Sequence, residues 1–303
     1  LNVTLKDDTE MLDEVVVVGY GTQKKVNLTG SVSTITSERL ESRPIATISD
    51  GLQGTMPGVT VTKDNGAPGS SSSIKIRGYS SLNSGGALII IDGVPGDMNN
   101  VAPDDVESIS VLKDAASASI YGARAAEGVI LVTTKKGKPS EKIRIQYSNN
   151  FSFQKPTILP TPNSAYDGAV YANLAFTNAG SSPLYADWMM KAFSDPTMTA
   201  VAKADNSDYD YVADFNWWDY FLKSSFQQTH NVSLSGGSER HQFMLSGSWL
   251  DQNGYFSQWG PDNYDRITVR ANLSNQIIPK KLILDTNLSL VNADADSPSL
   301  GRN

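Results

Sequence analysis

Cysteine is absent from this 303-residue chain, and histidine occurs at two positions, His230 and His241. The first absence excludes disulfides, thiolate nucleophiles and thiolate metal sites. With two histidines, neither a Ser-His-Asp triad nor a histidine-rich metal site can be assembled convincingly. The glycine-rich stretch 66–73 lacks the lysine of a phosphate-binding loop. We therefore predict no catalytic residue, no metal site and no enzymatic activity.

Positive charge and long apolar runs are also scarce. The 25 Lys and Arg residues are scattered and face 32 Asp and Glu residues, for a formal net charge of -7. This chain lacks the basic footprint that nucleic-acid binding requires. No apolar stretch approaches the roughly 18 to 20 residues of a transmembrane helix, but a β-barrel, whose strands alternate over about 10 residues, is not excluded.

A run of four valines, Val15–Val18, stands out near the N-terminus. Four successive β-branched residues predict a strand. The acids Asp13 and Glu14 precede the run and glycines follow it, which indicates a mobile, solvated setting. Such a strand can be captured by the sheet edge of another protein, and the alternative is that it packs into this chain's own fold.

Residues 24–138 carry short elements punctuated by glycine, which predict a compact α+β unit. Two helices are predicted to begin at the caps Ser37 and Ser49, and a third covers 115–121. The predicted strands cover 59–62, 74–77, 88–92, 107–112 and 128–134, with a flexible loop over 65–73. The basic, breaker-rich stretch 135–139 marks the end of the unit.

After residue 138 apolar and polar residues alternate over long stretches, which predicts five strands. The apolar positions are Ile143, Ile145, Tyr147, Phe151, Phe153, Val232, Leu234, Phe243, Leu245, Trp249, Ile267, Val269, Leu273, Leu282, Leu284, Leu288 and Leu290. Their polar neighbours include Arg266, Arg270 and Asn272. One apolar and one polar side is typical of a lipid-facing barrel with a wet lumen, and a water-soluble sandwich with one buried face is the alternative.

The connections between these strands alternate in length. Short turns lie at 236–239 and 279–280, whereas about 70 residues separate the first two strands. Outer-membrane barrels show this asymmetry, with short periplasmic turns and long extracellular loops. Five aromatic residues are predicted to form an interfacial girdle: Trp249, Tyr255, Phe256, Trp259 and Tyr264.

The long connection, at about 156–226, is rich in aromatic residues and by topology extracellular. We predict a self-packed loop with a small core, and as second choice a surface for stacking sugar rings or for contacting a partner protein. The candidate contact residues are Trp188, Tyr209, Trp217 and Trp218. Asp205, Asp208, Asp210 and Asp214 do not have EF-hand spacing, which favours a solvated acidic loop over a calcium site.

Five sequence motifs, in this order along the chain, resemble those of a known family: DEVVVVGYGTQKK, GLQGTMPGVTVT, SIKIRGYSSLN, ALIIIDGVPG and VESISVLKDAASASIYGARAAEGVILVTTKKG. Together they resemble the TonB box and plug of a SusC-like (RagA-like) TonB-dependent outer-membrane transporter. The resemblance covers residues 13–138 almost continuously. Residues 1–6 resemble the last strand of the small N-terminal extension that many of these proteins carry.

The resemblance implies an α+β plug domain inside an antiparallel transmembrane β-barrel. The expected divisions are 1–23 for the extension and TonB box, 24–138 for the plug, and 139–303 for the first part of the barrel. A barrel that encloses such a plug needs about 22 strands, and about five are present. The chain is therefore expected to be a piece of a longer one.

The resemblance also implies a function, namely TonB-dependent import of an oligosaccharide or a peptide across a bacterial outer membrane. The implied partners are TonB, a SusD-like surface lipoprotein that lids the barrel, and outer-membrane lipid, with no cofactor. A siderophore or cobalamin receptor is the alternative, and a surface adhesin or sensor is an alternative of another class. The residues implied to bind TonB are Asp13, Glu14, Val15, Val16, Val17, Val18, Gly19 and Tyr20.

Four plug residues are expected to hold the plug in place: Arg77, Gly78, Asp92 and Gly93. Because a charge that ends an apolar strand inside a lumen must be paired, Asp92 is the expected partner of Arg77. We favour a structural anchor over a substrate contact for this pair.

Overall fold

The structure, a computed structural model, describes residues 15–18, 21–24, 32–41, 45–63, 65–70, 72–78, 86–202, 208–256, 260–279 and 281–297. Residues 1–6, which resemble the last strand of the N-terminal extension, lie outside these ranges. Within them, no helix is both long and apolar enough to cross a membrane.

The first part of the chain forms a plug of short elements. In chain order these are β1 (Val15–Val18), β2 (Gly21–Lys24), β3 (Val32–Thr36), α1 (Ser37–Glu41), α2 (Ile48–Leu52), β4 (Val59–Lys63), β5 (Ser72–Ile76), β6 (Leu88–Ile91), β7 (Val94–Pro95), β8 (Val106–Leu112), α3 (Ala115–Ala118) and β9 (Val129–Thr134). Short 3-10 helices cover Met98–Asn100, Pro103–Asp105 and Ser119–Ala125.

Three small sheets organise these strands. The central one has the order β3-β8-β9-β6-β7, and within it β6 and β9 run parallel. A separate pair joins β4 to β5, and β1 pairs with β2 as a two-stranded antiparallel sheet of its own. The apolar sides of the central sheet and of the β4–β5 pair share a core that includes Ile35, Leu52, Ile109 and Ile130.

The structure corrects three local predictions. The cap of α2 is Thr47, whose hydroxyl accepts the Asp50 backbone N–H, and Ser49 lies inside the helix. Strand β5 begins at Ser72, within the predicted loop. The third helix ends at Ala118 and continues as a 3-10 helix, in which Gly122 has a φ of 69°.

The rest of the chain supplies long strands and an insertion. In chain order the elements are β10 (Ser140–Gln154), α4 (Ala165–Asn178), α5 (Asp187–Phe193), β11 (Ala200–Ala202), β12 (Tyr209–Tyr211), α6 (Trp217–Phe221), β13 (Ser225–Gly237), β14 (His241–Asn253), β15 (Asn263–Ile278) and β16 (Leu282–Asp296). The five long strands form one antiparallel sheet in the order β10-β13-β14-β15-β16.

The two faces of this sheet show the opposite burial from those of a water-soluble sandwich, in which the apolar face is buried and the polar face is exposed. The large apolar residues, such as Ile145, Phe153 and Leu290, are exposed. On β15 the polar residues of the other face are buried, and Arg266 retains 2% exposure. Because a water-soluble sheet would bury its apolar side, this pattern indicates a barrel wall with lipid outside and the plug inside. The fold is thus an α+β plug with the strands of a partial barrel, as predicted.

The chain divides into two compact units. One contains the described residues up to 154 together with 225–254 and 261–297, so that the plug and the long strands belong together. The other contains 155–224 and 255–260. In this second unit Asn173 bonds to both the N–H and the carbonyl of Tyr185, and Tyr185 packs edge-on against Phe193. These contacts are those of a self-packed loop.

Candidate functional site

The interface between the plug and the long strands contains an ion pair. The Asp92 carboxylate, in the turn after β6, lies 3.5 Å from the Arg270 guanidinium on β15. It also accepts the backbone N–H of Thr134 at 2.9 Å and its hydroxyl at 2.6 Å. Both charged side chains retain less than a tenth of their exposure. A paired, hydrogen-bonded charge is the form in which a buried carboxylate is tolerated.

The predicted pairing of Asp92 with Arg77 is therefore wrong. Arg77 and Gly78 are exposed, as is Gly93, and Arg77 has a φ of 58°. The physical reason is the sheet topology. Arg77 follows β5, which pairs with β4, whereas Asp92 follows β6 in the central sheet. The ends of β5 and β6 looked equivalent in sequence, but the two strands belong to different sheets. Of the four predicted plug-core residues, Asp92 alone has a buried side chain.

Two more residues of β15 bind the plug. The Arg266 guanidinium donates to the backbone carbonyl of Ala46 at 3.1 Å and to that of Asn99. The Asn272 amide donates to the Thr134 hydroxyl and to the Lys135 carbonyl, both at 2.8 Å. The sequence marked these residues as the polar side of a strand but not as plug contacts. Arginine on the lumen side of a predicted strand is the signal that was available.

The plug loop before β5 is also fixed to the strands. The Gly69 N–H donates to the Gln252 side chain at 3.2 Å, and a Cβ on Gly69 would lie 2.2 Å from the Tyr264 ring. Tyr264 therefore packs against the plug, which corrects its assignment to the girdle. Trp249 is exposed on the apolar face as predicted, and Trp259 lies outside the described residues.

The opposite side of the interface is looser. The Asp104 carboxylate accepts hydrogen bonds from Ser148 on β10 and, at 2.5 Å, from Asn231 on β13. Beside it lies a cavity of about 1110 Å³ between the plug and these strands. The neighbouring Asp105 is buried, and this burial raises the pKa of its carboxyl, although a hydrogen bond from Ser246 and the charge of Arg270 act in the opposite direction.

The predicted TonB-binding stretch is partly described. Val15–Val18 form β1, paired with β2, so a strand is present where the valines predicted one. Asp13, Glu14, Gly19 and Tyr20 lie outside the described residues. The structure therefore places the valine run in a two-stranded sheet separate from the central sheet and from the β4–β5 pair.

The aromatic candidates of the second unit are exposed. Trp217 and Tyr209 each retain 60% exposure, and Trp188 and Trp218 are also accessible. Trp217 stacks on Phe221 with ring centroids 5.5 Å apart. Of the acidic residues, Asp214 accepts the Ala165 N–H, Asp210 lies in β12 and Asp205 is outside the described residues. Among the described residues no group of three potential metal ligands converges.

Comparison with known proteins supports this architecture. The TonB-dependent Receptor Plug Domain family matches residues 24–129. The TonB-dependent receptor SusC of Bacteroides thetaiotaomicron is 34% identical over 96% of this chain and 27% of its own length. The RagAB peptide importer in its open-open state superposes with a TM-score of 0.74 at 31% identity, over 94% of this chain and 33% of that one.

Iron-siderophore receptors are less similar. The ferric enterobactin receptor PirA of Pseudomonas aeruginosa is 31% identical over 56% of this chain and 25% of its own length. The chain spans about a quarter of the length of the curated relatives that it matches.

A plug domain bonded to the polar face of an antiparallel strand sheet is the arrangement of a TonB-dependent receptor. The SusC-like relatives match far more of this chain than the siderophore receptors do, 96% against 56% for PirA, and the structural similarity to the RagAB importer is higher, with a TM-score of 0.74 against 0.55. The chain belongs to the SusC-like TonB-dependent receptors.

Proposed function

We propose that this protein is a transporter, not an enzyme, and that it imports a nutrient across a bacterial outer membrane with energy delivered by TonB. The observation that carries this proposal is the plug held by buried polar contacts against a strand sheet whose outer face is apolar. A solute that passes such a wall must pass the plug, and plug contacts of this kind need work to break. That requirement fits an energised mechanism.

The domain division 1–23, 24–138 and 139–303 belongs to this proposal. In this proposal the valine run Val15–Val18 binds TonB and so couples the receptor to its energy source. Asp13, Glu14, Gly19 and Tyr20 complete the TonB-binding stretch. In the part of the chain that the structure describes, β1 pairs with β2 and with no other strand, so another protein's sheet can add to its second edge by main-chain hydrogen bonds. Pulling on such a strand transmits force to β3, the edge strand of the central plug sheet.

The proposed cargo is an oligosaccharide or a peptide, delivered with a SusD-like surface lipoprotein. Similarity to SusC and to the RagAB peptide importer supports this class of cargo over iron-siderophores. Trp188, Tyr209, Trp217 and Trp218 are the proposed contact residues, because exposed aromatic rings stack on sugar rings and pack in protein interfaces.

The experiment is uptake by cells that carry the full-length receptor with residues 13–20 deleted. We expect energy-dependent uptake of an isotopically labelled mixture of oligosaccharides and peptides to be abolished while the receptor still reaches the outer membrane. Uptake that survives the deletion would contradict the mechanism. Surface binding without uptake in the intact receptor would favour an adhesin or sensor.

A further inference from the structure

The apolar side of the strand sheet carries a histidine between aromatic rings. The His230 ring on β13 lies nearly parallel to the Trp249 ring on β14, with centroids 5.5 Å apart, and to the Tyr147 ring on β10, at 6.2 Å. Phe151 meets the same imidazole edge-on at 5.5 Å. Stacked and edge-on contacts of this kind are favourable, so the three neighbouring rings hold the imidazole in one orientation.

Hydrogen bonds select the nitrogen of His230 that remains free to donate. The Tyr147 hydroxyl lies 2.7 Å from Nδ1 of His230, and the Asn149 amide donates to that hydroxyl at 3.5 Å. A hydroxyl that accepts from Asn149 gives its own proton to Nδ1, so Nε2 carries the hydrogen of the neutral imidazole. Among the described residues this Nε2–H has no acceptor. His230 therefore offers a fixed, unused donor on the apolar side of the sheet.

The pairing register places His230 at one border of the apolar side. His230, Trp249 and Ile267 are direct partners on neighbouring strands and form one outward row. Toward the short turns the next outward row contains Val232 and Val269. Toward the long connection the next outward row is polar and contains Gln228, Asp251, Asp265 and Asp294. Because tryptophan and a change from apolar to polar residues both mark a membrane interface, His230 lies where hydrocarbon meets the lipid headgroups.

The polar row next to His230 is acidic. Asp251 and Asp265 are direct cross-strand partners, and Asp294 continues the row on β16. Like charges directly opposite each other are destabilising, and within the described residues none of the three carboxylates forms an ion pair. Nor do three potential metal ligands converge anywhere in those residues. An ammonium group, which needs no convergent ligands, is therefore the cation that suits this row.

We propose that this part of the sheet binds the phosphoethanolamine headgroup of an outer-membrane lipid. The phosphate accepts the Nε2–H of His230, and the ammonium lies one row further out, about 7 Å along the strands, between Asp251 and Asp265. The acyl chains extend over Val232 and Val269. A phosphate without an amine is repelled by the two carboxylates, so the site selects a headgroup that carries both charges. The inference rests on the outer-membrane placement in the proposed function.

Native mass spectrometry of the detergent-solubilised full-length receptor measures this selectivity. The receptor is titrated with phosphatidylethanolamine, with phosphatidylglycerol, which lacks the amine, and with phosphatidylcholine, whose trimethylated nitrogen has no hydrogen to donate. His230→Phe keeps a ring for stacking but loses the N–H. The matched control is His241→Phe, at the opposite end of the sheet, where His241 bonds to Asn275. Asp251→Asn removes one charge of the acidic row and keeps an oxygen that accepts from Gln228.

We expect phosphatidylethanolamine to bind the parent about tenfold more tightly than the other two lipids, because one charge-assisted hydrogen bond is worth about that factor. His230→Phe and Asp251→Asn should each remove most of this preference, and His241→Phe should retain it. Equal binding of the three lipids to the parent overturns the proposal, as does a preference that survives either of the first two substitutions or is lost equally in His241→Phe. A full-length receptor absent from the membrane fraction would instead contradict the outer-membrane function itself, and fractionation shows this before any lipid is added.

Discussion

Asp92 and Arg270 are 178 residues apart in the chain, yet the carboxylate of one lies 3.5 Å from the guanidinium of the other, across the boundary between plug and strand sheet. The pair is buried, and Asp92 also receives both hydrogen bonds of Thr134. The plug is therefore held by a buried ion pair. Removal of either charged side chain would leave the other charge buried and unpaired.

Arg270→Ala should loosen the plug. Removal of one partner of a buried ion pair costs about 3–5 kcal/mol because the remaining charge is left uncompensated. Hydrogen exchange of the Thr134 amide, which donates to Asp92, measures this local opening directly. The control is Lys136→Ala, since Lys136 and Asp285 form a half-exposed pair at 3.9 Å, for which about 0–1 kcal/mol is expected. Equal exchange rates in the two variants would contradict the anchoring role.

Gly69→Ala should destabilise the plug loop more than Gly54→Ala. Both glycines have a positive φ, 67° and 71°, so both alanines carry a similar backbone cost of about 1–2 kcal/mol. A Cβ on Gly69 would overlap the Tyr264 ring, whereas one on Gly54 meets nothing within 4 Å. Overpacking adds about 1–3 kcal/mol.

Thermal unfolding of the two variants gives the comparison. Adding Tyr264→Ala to Gly69→Ala should recover the difference between them, because it removes the ring that the new methyl group meets. If the two single variants unfold at the same temperature, Gly69 does not pack on Tyr264 in solution.

Asp105→Asn should stabilise the plug at neutral pH. Burial raises the pKa of the Asp105 carboxyl, so the folded state favours the protonated form. The stabilisation from this group is complete below the pKa of the unfolded chain and is lost as the pH rises through the pKa of the folded state. Melting temperatures at about pH 4 and pH 8 should therefore differ less in the variant than in the parent, and an unchanged difference would count against a raised pKa of the Asp105 carboxyl.

Val269→Lys should impair membrane assembly. Val269 is exposed on the apolar face of β15, and a lysine near the middle of a lipid-facing strand costs about 2–4 kcal/mol. Asp265→Lys, four residues nearer the end of β15 on the same side, should cost about 0–1 kcal/mol. The yield of receptor folded into lipid vesicles measures both. If Val269→Lys assembles as well as Asp265→Lys, lipid does not cover this face.

Local pattern predicted much of this fold. The alternation after residue 138 identified all five long strands and their apolar sides, because side-chain direction in a strand depends on neighbours in sequence. Five strands of the plug followed from equally local signals, whereas β3 and β7 were not predicted. Which sheet a strand joins, by contrast, is not written in its local pattern, and this is why Arg77 after β5 was joined to Asp92 after β6.

The plug contacts could not be predicted, because each joins residues far apart in the chain. Arg266 was recognised as lumen-facing, but its acceptors are backbone carbonyls of Ala46 and Asn99, which any residue type supplies. Asp104 gave no signal at all, since an acidic residue near a strand start is also an ordinary solvated turn residue.

Energy-dependent uptake by the full-length receptor with Val16→Pro tests directly whether force enters through the valine strand, β1. Proline lacks the backbone N–H and cannot complete a strand pairing. We predict uptake near that of the 13–20 deletion, with Val16→Thr, which keeps the backbone and the β-branch, close to the parent. Uptake in Val16→Pro equal to that in Val16→Thr would contradict the account.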